Sequence, residues 1–173
     1  MKIKLTPNIS NYSTKKIGFI IHGTLGKAEG AINWLCTPPN LRPDGSQSSA
    51  HYVISKTGDI TKLADNDKVT WHAGRIDKPT WRARKYLPTV SGIPMVAPFK
   101  NPNDSFIGIE LEWFLGDTIT NEQYNSIVQI IKESGIVNPI VLCHKEVTSY
   151  KSDFQDKAGN IDMLPVQEIL RRI

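Results

Sequence analysis

The chain has little cysteine, and this excludes a disulfide framework. It has only Cys36 and Cys143 in 173 residues, whereas small secreted domains that depend on disulfides carry many more. Each cysteine follows apolar residues, so we expect buried free thiols. The sequence also leaves open a single bridge between the two.

Long apolar segments and a secretion signal are lacking as well. The longest apolar run, around residues 17–21, is far too short to span a bilayer, so we expect no membrane insertion. Residues 1–7 lack the apolar stretch and the small-residue cleavage site of a signal peptide. We therefore expect synthesis in the cytoplasm, with any export by another route.

Neither sign of charge is strongly in excess. With 21 basic and 17 acidic residues, the chain has a net charge of +4 and a pI near 9.0. This balance fits an acidic partner, such as nucleic acid or a bacterial cell wall, and fits equally a solvated surface without one. The hydrophobic fraction of 39% is ordinary for a globular protein. The length fits one domain over residues 1–173, and we expect a monomer.

What the sequence does contain is an alternation of strand and helix patterns. Apolar segments predict strands near residues 16–21, 50–55, 60–63, 106–113 and 140–143. Helical patterns lie near residues 28–36, 120–135 and 164–173, and Thr120 with Gln123 predicts a capping box at the start of the second. Several strands are too apolar to be half-exposed, so we predict a single α/β (α+β) domain whose central mixed β-sheet is flanked by helices. Residues 78–104 are Pro-rich without clear periodicity, which is typical of functional or disordered loops.

Two of the four histidines share one setting. His22 and His144 each follow a short buried strand, where we expect the chain to turn into a loop. In α/β sheets this edge is where ligands bind. A lone histidine after a strand is more often structural, but two in the same setting favour a site.

Lys151 and Asp153 lie two residues apart in the loop after His144. On an extended segment such residues face the same way, so both side chains can point at whatever His144 binds. Two neutral imidazoles and one carboxylate suit Zn²⁺, with a fourth position open to water. Such a site stays positively charged and can polarise a carbonyl. The residues therefore predict one zinc ion held by His22, His144 and Asp153.

A pair of carboxylates occupies the polar face of the strand at 106–113. Glu110 and Glu112 alternate with apolar residues, so both lie on this face. A carboxylate beside the metal that is not a ligand can act as a general base. Geometry alone does not choose between the two, and both can equally be solvated surface charges. For Glu112 we prefer that second interpretation.

Six short motifs in one order resemble the type-2 N-acetylmuramoyl-L-alanine amidases. They are Ile-Ile-His-Gly-Thr at 20–24, Ser-Ala-His-Tyr-Val-Ile at 49–54, Trp-His-Ala-Gly at 71–74, Ile-Gly-Ile-Glu-Leu-Glu at 107–112, Cys-His-Lys-Glu at 143–146 and Lys-Ser-Asp at 151–153. That family includes phage endolysins, bacterial autolysins and muropeptide-recycling enzymes, and shares its fold with peptidoglycan-recognition proteins. The resemblance covers roughly residues 15–155.

The resemblance implies a zinc ion in a surface groove and cleavage of the amide between N-acetylmuramic acid and L-alanine. The zinc ligands of the family fall on His22, His144 and Asp153. Its catalytic glutamate falls on Glu110 rather than Glu112, and its catalytic lysine falls on Lys151. The implied partner is peptidoglycan or a soluble muropeptide.

The sequence departs from the family pattern at several positions. Asp153 stands where some members have cysteine, and Ala50 stands where those members have a catalytic tyrosine. The usual Asp-Pro-Gly is absent, because Phe154 and Gln155 follow Asp153. The stretch 85–102 is longer than usual, and we expect it to form one wall of the groove.

Four further side chains are candidates for contact with the substrate. His72 is expected near the groove, as a substrate contact or as a group behind the metal ligands. Trp71, Trp81 and Arg84 are expected to contact sugar or peptide, although such aromatic residues more often serve packing. His51 begins a strand and can equally be a hydrogen-bonded core residue, so the sequence leaves its role open.

Other protein classes fit the sequence less well. A non-catalytic peptidoglycan-binding module on the same fold would lack a zinc ligand. A nuclease would more often assemble acidic residues for Mg²⁺ or a dense basic stripe, so we expect no nucleic-acid partner. A cysteine peptidase is disfavoured because Cys143 and His144, as neighbours on a strand, point to opposite faces. Within the amidase interpretation we favour a phage-type endolysin, with a cytoplasmic recycling enzyme as the alternative.

Overall fold

A six-stranded mixed sheet organises the fold. The computed structural model describes residues 1–74, 76–86, 101–155 and 159–173. In chain order, the strands of these residues are β1 (Lys2–Ile3), β2 (Ile9–Ser13), β3 (Gly18–Gly23), β4 (Tyr52–Ile54), β5 (Ile60–Lys62), β6 (Lys68–Thr70), β7 (Phe106–Leu111) and β8 (Ile140–Cys143). The main sheet has the order β1-β5-β4-β7-β3-β8, and β2 pairs with β6 separately. Among the described strands of the main sheet, β4 and β5 pair antiparallel and the other pairs are parallel.

Helices connect and cover these strands. They are α1 (Ala28–Cys36), α2 (Trp81–Arg84), α3 (Pro102–Ser105), α4 (Asn121–Glu133), α5 (His144–Val147) and α6 (Leu164–Arg172), with a 3₁₀ turn at Pro39–Leu41. In the part of the chain that the structure describes, no helix has the length and apolar character needed to cross a membrane.

The central strand β3 is buried on both faces. Phe19 and Ile21 face a core shared with α4 and α6, whereas Ile20 faces a core shared with α2 and α5. Helix α1 covers the neighbouring strands through a third cluster that includes Leu35 and Val53. A parallel strand covered on both faces needs apolar residues at successive positions. The prediction of a mixed sheet flanked by helices is confirmed.

The predicted elements match the structure with instructive exceptions. Helix α1 has the predicted bounds, and α4 begins with the predicted capping box between Thr120 and Gln123. The prediction that His22 lies in a turn is wrong, because β3 continues in register with β7 as far as Gly23. His144 likewise begins α5 instead of a loop, since the Glu146 carboxylate accepts a hydrogen bond from the backbone N–H of Cys143 at 3.0 Å and starts a helical turn.

Several shorter features were not predicted. The strands β1, β2 and β6 are short and lack a strong apolar pattern. The short helix α2 lies within the segment 78–104 that was expected to lack regular structure, and the short helix α3 begins in it. Most of the expected groove wall at 85–102 lies outside the described residues. Both cysteines are free thiols, Cys143 buried and Cys36 half-buried, so the bridge left open by the sequence is excluded.

Candidate active site

The fold brings together the three side chains expected to bind metal. His22 lies near the end of β3, His144 begins α5 directly after β8, and Asp153 lies in the following loop. The Asp153 Oδ2 atom is 3.2 Å from His144 Nδ1 and 4.0 Å from His22 Nδ1. All three residues are buried, and one donor atom from each lies within 4.8 Å of the others. Strands β3 and β8 are adjacent and parallel, so their carboxyl ends meet at this edge.

A backbone carbonyl fixes the tautomer of His144. The Nε2 atom of His144 lies 3.1 Å from the Ala73 carbonyl oxygen. A carbonyl only accepts hydrogen bonds, so Nε2 carries the proton. In the neutral ring, Nδ1 therefore presents a lone pair towards Asp153.

The same reasoning fixes His22 through a second histidine. His72 Nε2 lies 3.2 Å from the Phe106 carbonyl oxygen, so it donates, and the neutral His72 ring accepts at Nδ1. His22 Nε2 lies 2.9 Å from that Nδ1 and must donate to it. Burial, with smaller contributions from neighbouring charges, holds the pKa of both His22 and His72 well below the usual value, so both rings are neutral. His22 Nδ1 is thereby left as a lone pair.

These donor atoms lack partners where partners are expected. Among the described residues, neither His22 Nδ1 nor Asp153 Oδ2 has a hydrogen-bond partner, although both atoms are buried. Buried polar atoms are rarely unpaired unless a water or an ion satisfies them. Two imidazole lone pairs and one carboxylate suit Zn²⁺, and the hydrogen bonds behind the histidines are those that metal-binding imidazoles usually make. The residues present therefore fit a metal ion.

Glu110 stands beside this cluster. It pairs in register with His22 across the parallel strands β3 and β7 and lines the same groove. Burial raises the pKa of Glu110 to about 8, and the Asp153 carboxylate adds to this, whereas the Lys151 ammonium opposes it. Glu112 instead accepts a hydrogen bond from the backbone N–H of Lys56 and lies outside this groove.

An open groove of about 520 Å³ runs from the metal ligands to α1. Its wall includes Lys151, Trp71 and His72, three of the candidate residues from the sequence, whose roles stay predictions. The face of α1 was not foreseen as a wall. Its groove-lining residues are Gly30, Ala31, Trp34 and Leu35, and Lys27, just before the helix, lines the groove as well. Their spacing of three and four residues is the signal of a common helix face and could have identified them.

Other candidate residues lie elsewhere. Trp81 and Arg84 do not belong to the described lining of the groove. Trp81 is largely exposed, and the Lys85 ammonium lies over its ring. Arg84 donates a hydrogen bond to the Pro79 carbonyl. Their role in substrate contact stays a prediction. His51 is fully buried and accepts a hydrogen bond from the backbone N–H of Gly108 at 3.0 Å.

The sequence matches one known protein family over most of its length. A family model described as N-acetylmuramoyl-L-alanine amidase matches residues 14–155. The chain belongs to this family. The resemblance found in the ordered motifs is confirmed, as is the prediction of an amidase acting on peptidoglycan.

Solved structures share the amidase fold at low sequence identity. A selenomethionine derivative of AmpD is 17% identical with a TM-score of 0.67, covering 99% of this chain and 93% of that one. The endolysin amidase LysCS from Clostridium intestinale URNW is 17% identical with a TM-score of 0.57, covering 99% and 94%. AmiD from E. coli, complexed with anhydro-N-acetylmuramic acid-L-Ala-D-gamma-Glu-L-Lys, is 19% identical with a TM-score of 0.57, covering 96% and 58%. No curated protein sequence matches the chain significantly.

The environment of Glu110 makes a prediction about the stability of the metal-free enzyme. Its pKa in the folded state, about 8, exceeds the ordinary value of 4.5, so the folded state holds a proton that the unfolded state has released, and stability falls as the pH rises from about 4.5 to 8. Glu110→Gln should therefore become more stable relative to the wild type by up to about 1.4 kcal/mol per pH unit between about pH 5 and 8. Denaturant unfolding of both proteins, in chelator, across this range measures the difference.

A matched control separates this effect from net charge. Glu112→Gln removes one carboxylate outside the groove. If it produced the same pH-dependent gain, the trend would reflect overall charge, and the account of the Glu110 environment would be wrong.

Proposed function

We propose that residues 1–173 form an amidase catalytic domain that hydrolyses the bond between N-acetylmuramic acid and L-alanine with one zinc ion. The observation that carries this proposal is that three buried donor atoms meet beside Glu110 and Lys151 in one groove. Two of these atoms have no hydrogen-bond partner in the described part of the chain. The residues that would hold the ion are His22, His144 and Asp153. A zinc ion bound there would polarise the scissile carbonyl and acidify water.

Glu110 is the proposed general base. It takes a proton from the attacking water and passes it to the leaving alanine nitrogen. The raised pKa of this carboxyl belongs to the metal-free protein. A nearby cation favours the carboxylate and so brings the pKa back towards the range of a base that works at neutral pH.

Lys151 is proposed to stabilise the negative charge that develops on the carbonyl oxygen. It lines the groove with Asp153, and its charge contributes to the local electrostatics of both Glu110 and His22. Donors placed in advance for a developing oxyanion are typically worth about 10²–10³ in rate.

Substrate contacts are proposed along the groove. Trp71 and His72 line it, and His72 also supports His22 from behind. Trp81 and Arg84 are also proposed to contact the substrate, although neither belongs to the described lining of the groove. The modest positive charge of the chain suits an anionic cell wall, and we propose an endolysin role, with a muropeptide-recycling role as the alternative.

The central test of the reaction is release of new amino termini from purified peptidoglycan. We expect stem peptides that begin with L-alanine, identified by mass spectrometry, to be released by the enzyme, lost on chelation and restored by Zn²⁺. Glu110→Gln should still bind zinc one-to-one and lose about 10²–10⁴-fold in rate, with Glu112→Gln close to wild type. Cleavage that ignores the chelator would contradict the zinc mechanism, and an active Glu110→Gln would contradict the general-base assignment. Comparing the rate on polymeric wall with that on soluble muropeptide separates the two biological roles.

The hydrogen bond behind His22 makes a separate prediction about metal affinity. His72→Phe keeps a ring but removes the acceptor for His22 Nε2, so the affinity for zinc should fall about 10- to 100-fold. His72→Asn places an amide oxygen near the lost Nδ1 and should recover part of that affinity. The dissociation constant is measured by competition with a chromogenic chelator.

A second buried histidine provides the control for His72. His51 lies beside His72, with ring centroids 6.0 Å apart, but among the described residues it makes no hydrogen bond or ring contact with a proposed ligand. His51→Asn should therefore lower the melting temperature while zinc affinity stays near wild type. Equal loss of affinity in the His51 and His72 variants would show that both act only through general packing.

A further inference from the structure

The loop that carries Asp153 has an unfavourable backbone conformation directly next to this proposed metal ligand. The Asp153 side chain is buried, and its Oδ2 atom has no hydrogen-bond partner among the described residues. Its neighbour Phe154 has a φ of 55°, in the left-handed region. That conformation is unfavourable for a residue other than glycine. Something outside the loop must therefore hold this backbone in place.

The side chain of Phe154 supplies an anchor. It is 2% exposed and belongs to the main core, where its ring centroid lies 5.3 Å from that of Trp113 at an interplanar angle of 56°. Burial of an aromatic side chain and its contact with a second ring stabilise this placement. Since Phe154 follows Asp153 directly, fixing the ring also fixes the carboxylate.

Trp113 contacts the segment of the first ligand as well. Its indole lies against the backbone of Gly23, the residue after His22, where an added Cβ would be 2.7 Å from Trp113 Cε3 and 3.4 Å from the Asp153 Cβ. The indole N–H donates to the Asp117 carbonyl at 2.8 Å, which fixes the ring. One rigid side chain therefore packs against the chain next to two of the three proposed ligands.

Lys145, the residue after His144, forms hydrogen bonds to the loop on both sides of Asp153. The Lys145 ammonium donates to the Lys151 carbonyl at 2.8 Å and to the Gln155 side-chain oxygen at 3.0 Å. These bonds hold the loop on both sides of Asp153, and the backbone N–H of Asp162 donates to the Phe154 carbonyl at 2.7 Å. The buried Phe154 ring adds a side-chain restraint directly next to Asp153.

We propose that Phe154, seated on Trp113, is a positioning residue that sets the Asp153 carboxylate against His22 and His144. This inference rests on the proposed metal site. In this proposal, the contact between Phe154 and Trp113 in the core restrains the position of Asp153, as a rigid loop sequence could do in another protein. Phe154 is not part of the described lining of the groove, so its effect is on affinity for the metal through the placement of one ligand.

The experiment measures zinc affinity and fold stability separately in the full chain. The dissociation constant for Zn²⁺ is obtained by chelator competition, and the melting temperature is obtained in the metal-free state. The variants are Phe154→Ala, Phe154→Leu and, as the matched core truncation, Ile130→Ala. Ile130 is a buried residue of α4 in the same core cluster, and α4 carries no proposed site residue.

We expect Phe154→Ala to lose about 10- to 100-fold in zinc affinity, with a smaller loss for Phe154→Leu. Ile130→Ala should lower the melting temperature but keep wild-type affinity. If Phe154→Ala does not fold, the zinc affinities of Phe154→Leu and Ile130→Ala are compared instead, and the same two outcomes support or overturn the proposal. Wild-type affinity in the Phe154 variants, or an equal loss in Ile130→Ala, overturns this inference alone. A wild-type protein that binds no zinc overturns the proposed function and this inference together.

Discussion

Two backbone carbonyls, those of Ala73 and Phe106, determine what the buried histidines can do. Each accepts a hydrogen bond from a histidine Nε2, directly from His144 in one case and through His72 in the other. The proton positions follow, and with them the Nδ1 lone pairs that face Asp153. Without these acceptors the rings could turn or change tautomer, and the same residue types would no longer form a site for a cation.

Close packing between His72 and strand β7 accompanies these two hydrogen bonds. The His72 ring lies directly against Gly108 of β7, where any side chain would occupy the space of the ring. Strand β7 in turn pairs with β3, which brings Glu110 into register with His22. Burial that keeps His22 and His72 neutral also raises the pKa of Glu110. The metal-free site therefore costs stability, as sites arranged for catalysis often do.

Much of this arrangement could be predicted from the sequence, because periodicity and ordered motifs report on neighbours along the chain. Apolar runs located the main strands, the capping box located α4, and the ordered motifs identified the family. The partners of the histidines could not be found in this way, since carbonyl groups are common to all residues and their directions depend on the tertiary fold. The same holds for Phe154, whose backbone conformation and contact with Trp113 depend on packing between distant segments.

The most direct test of this account is nitrogen-15 NMR of the histidine side chains in the zinc-loaded protein, with assignments from single histidine variants. One-bond and two-bond couplings distinguish a protonated ring nitrogen from one that binds metal. The account predicts that His22 and His144 bind through Nδ1 with protons on Nε2, and that His72 is neutral with its proton on Nε2. Coordination through Nε2 of either ligand, or a positively charged His72, would contradict it.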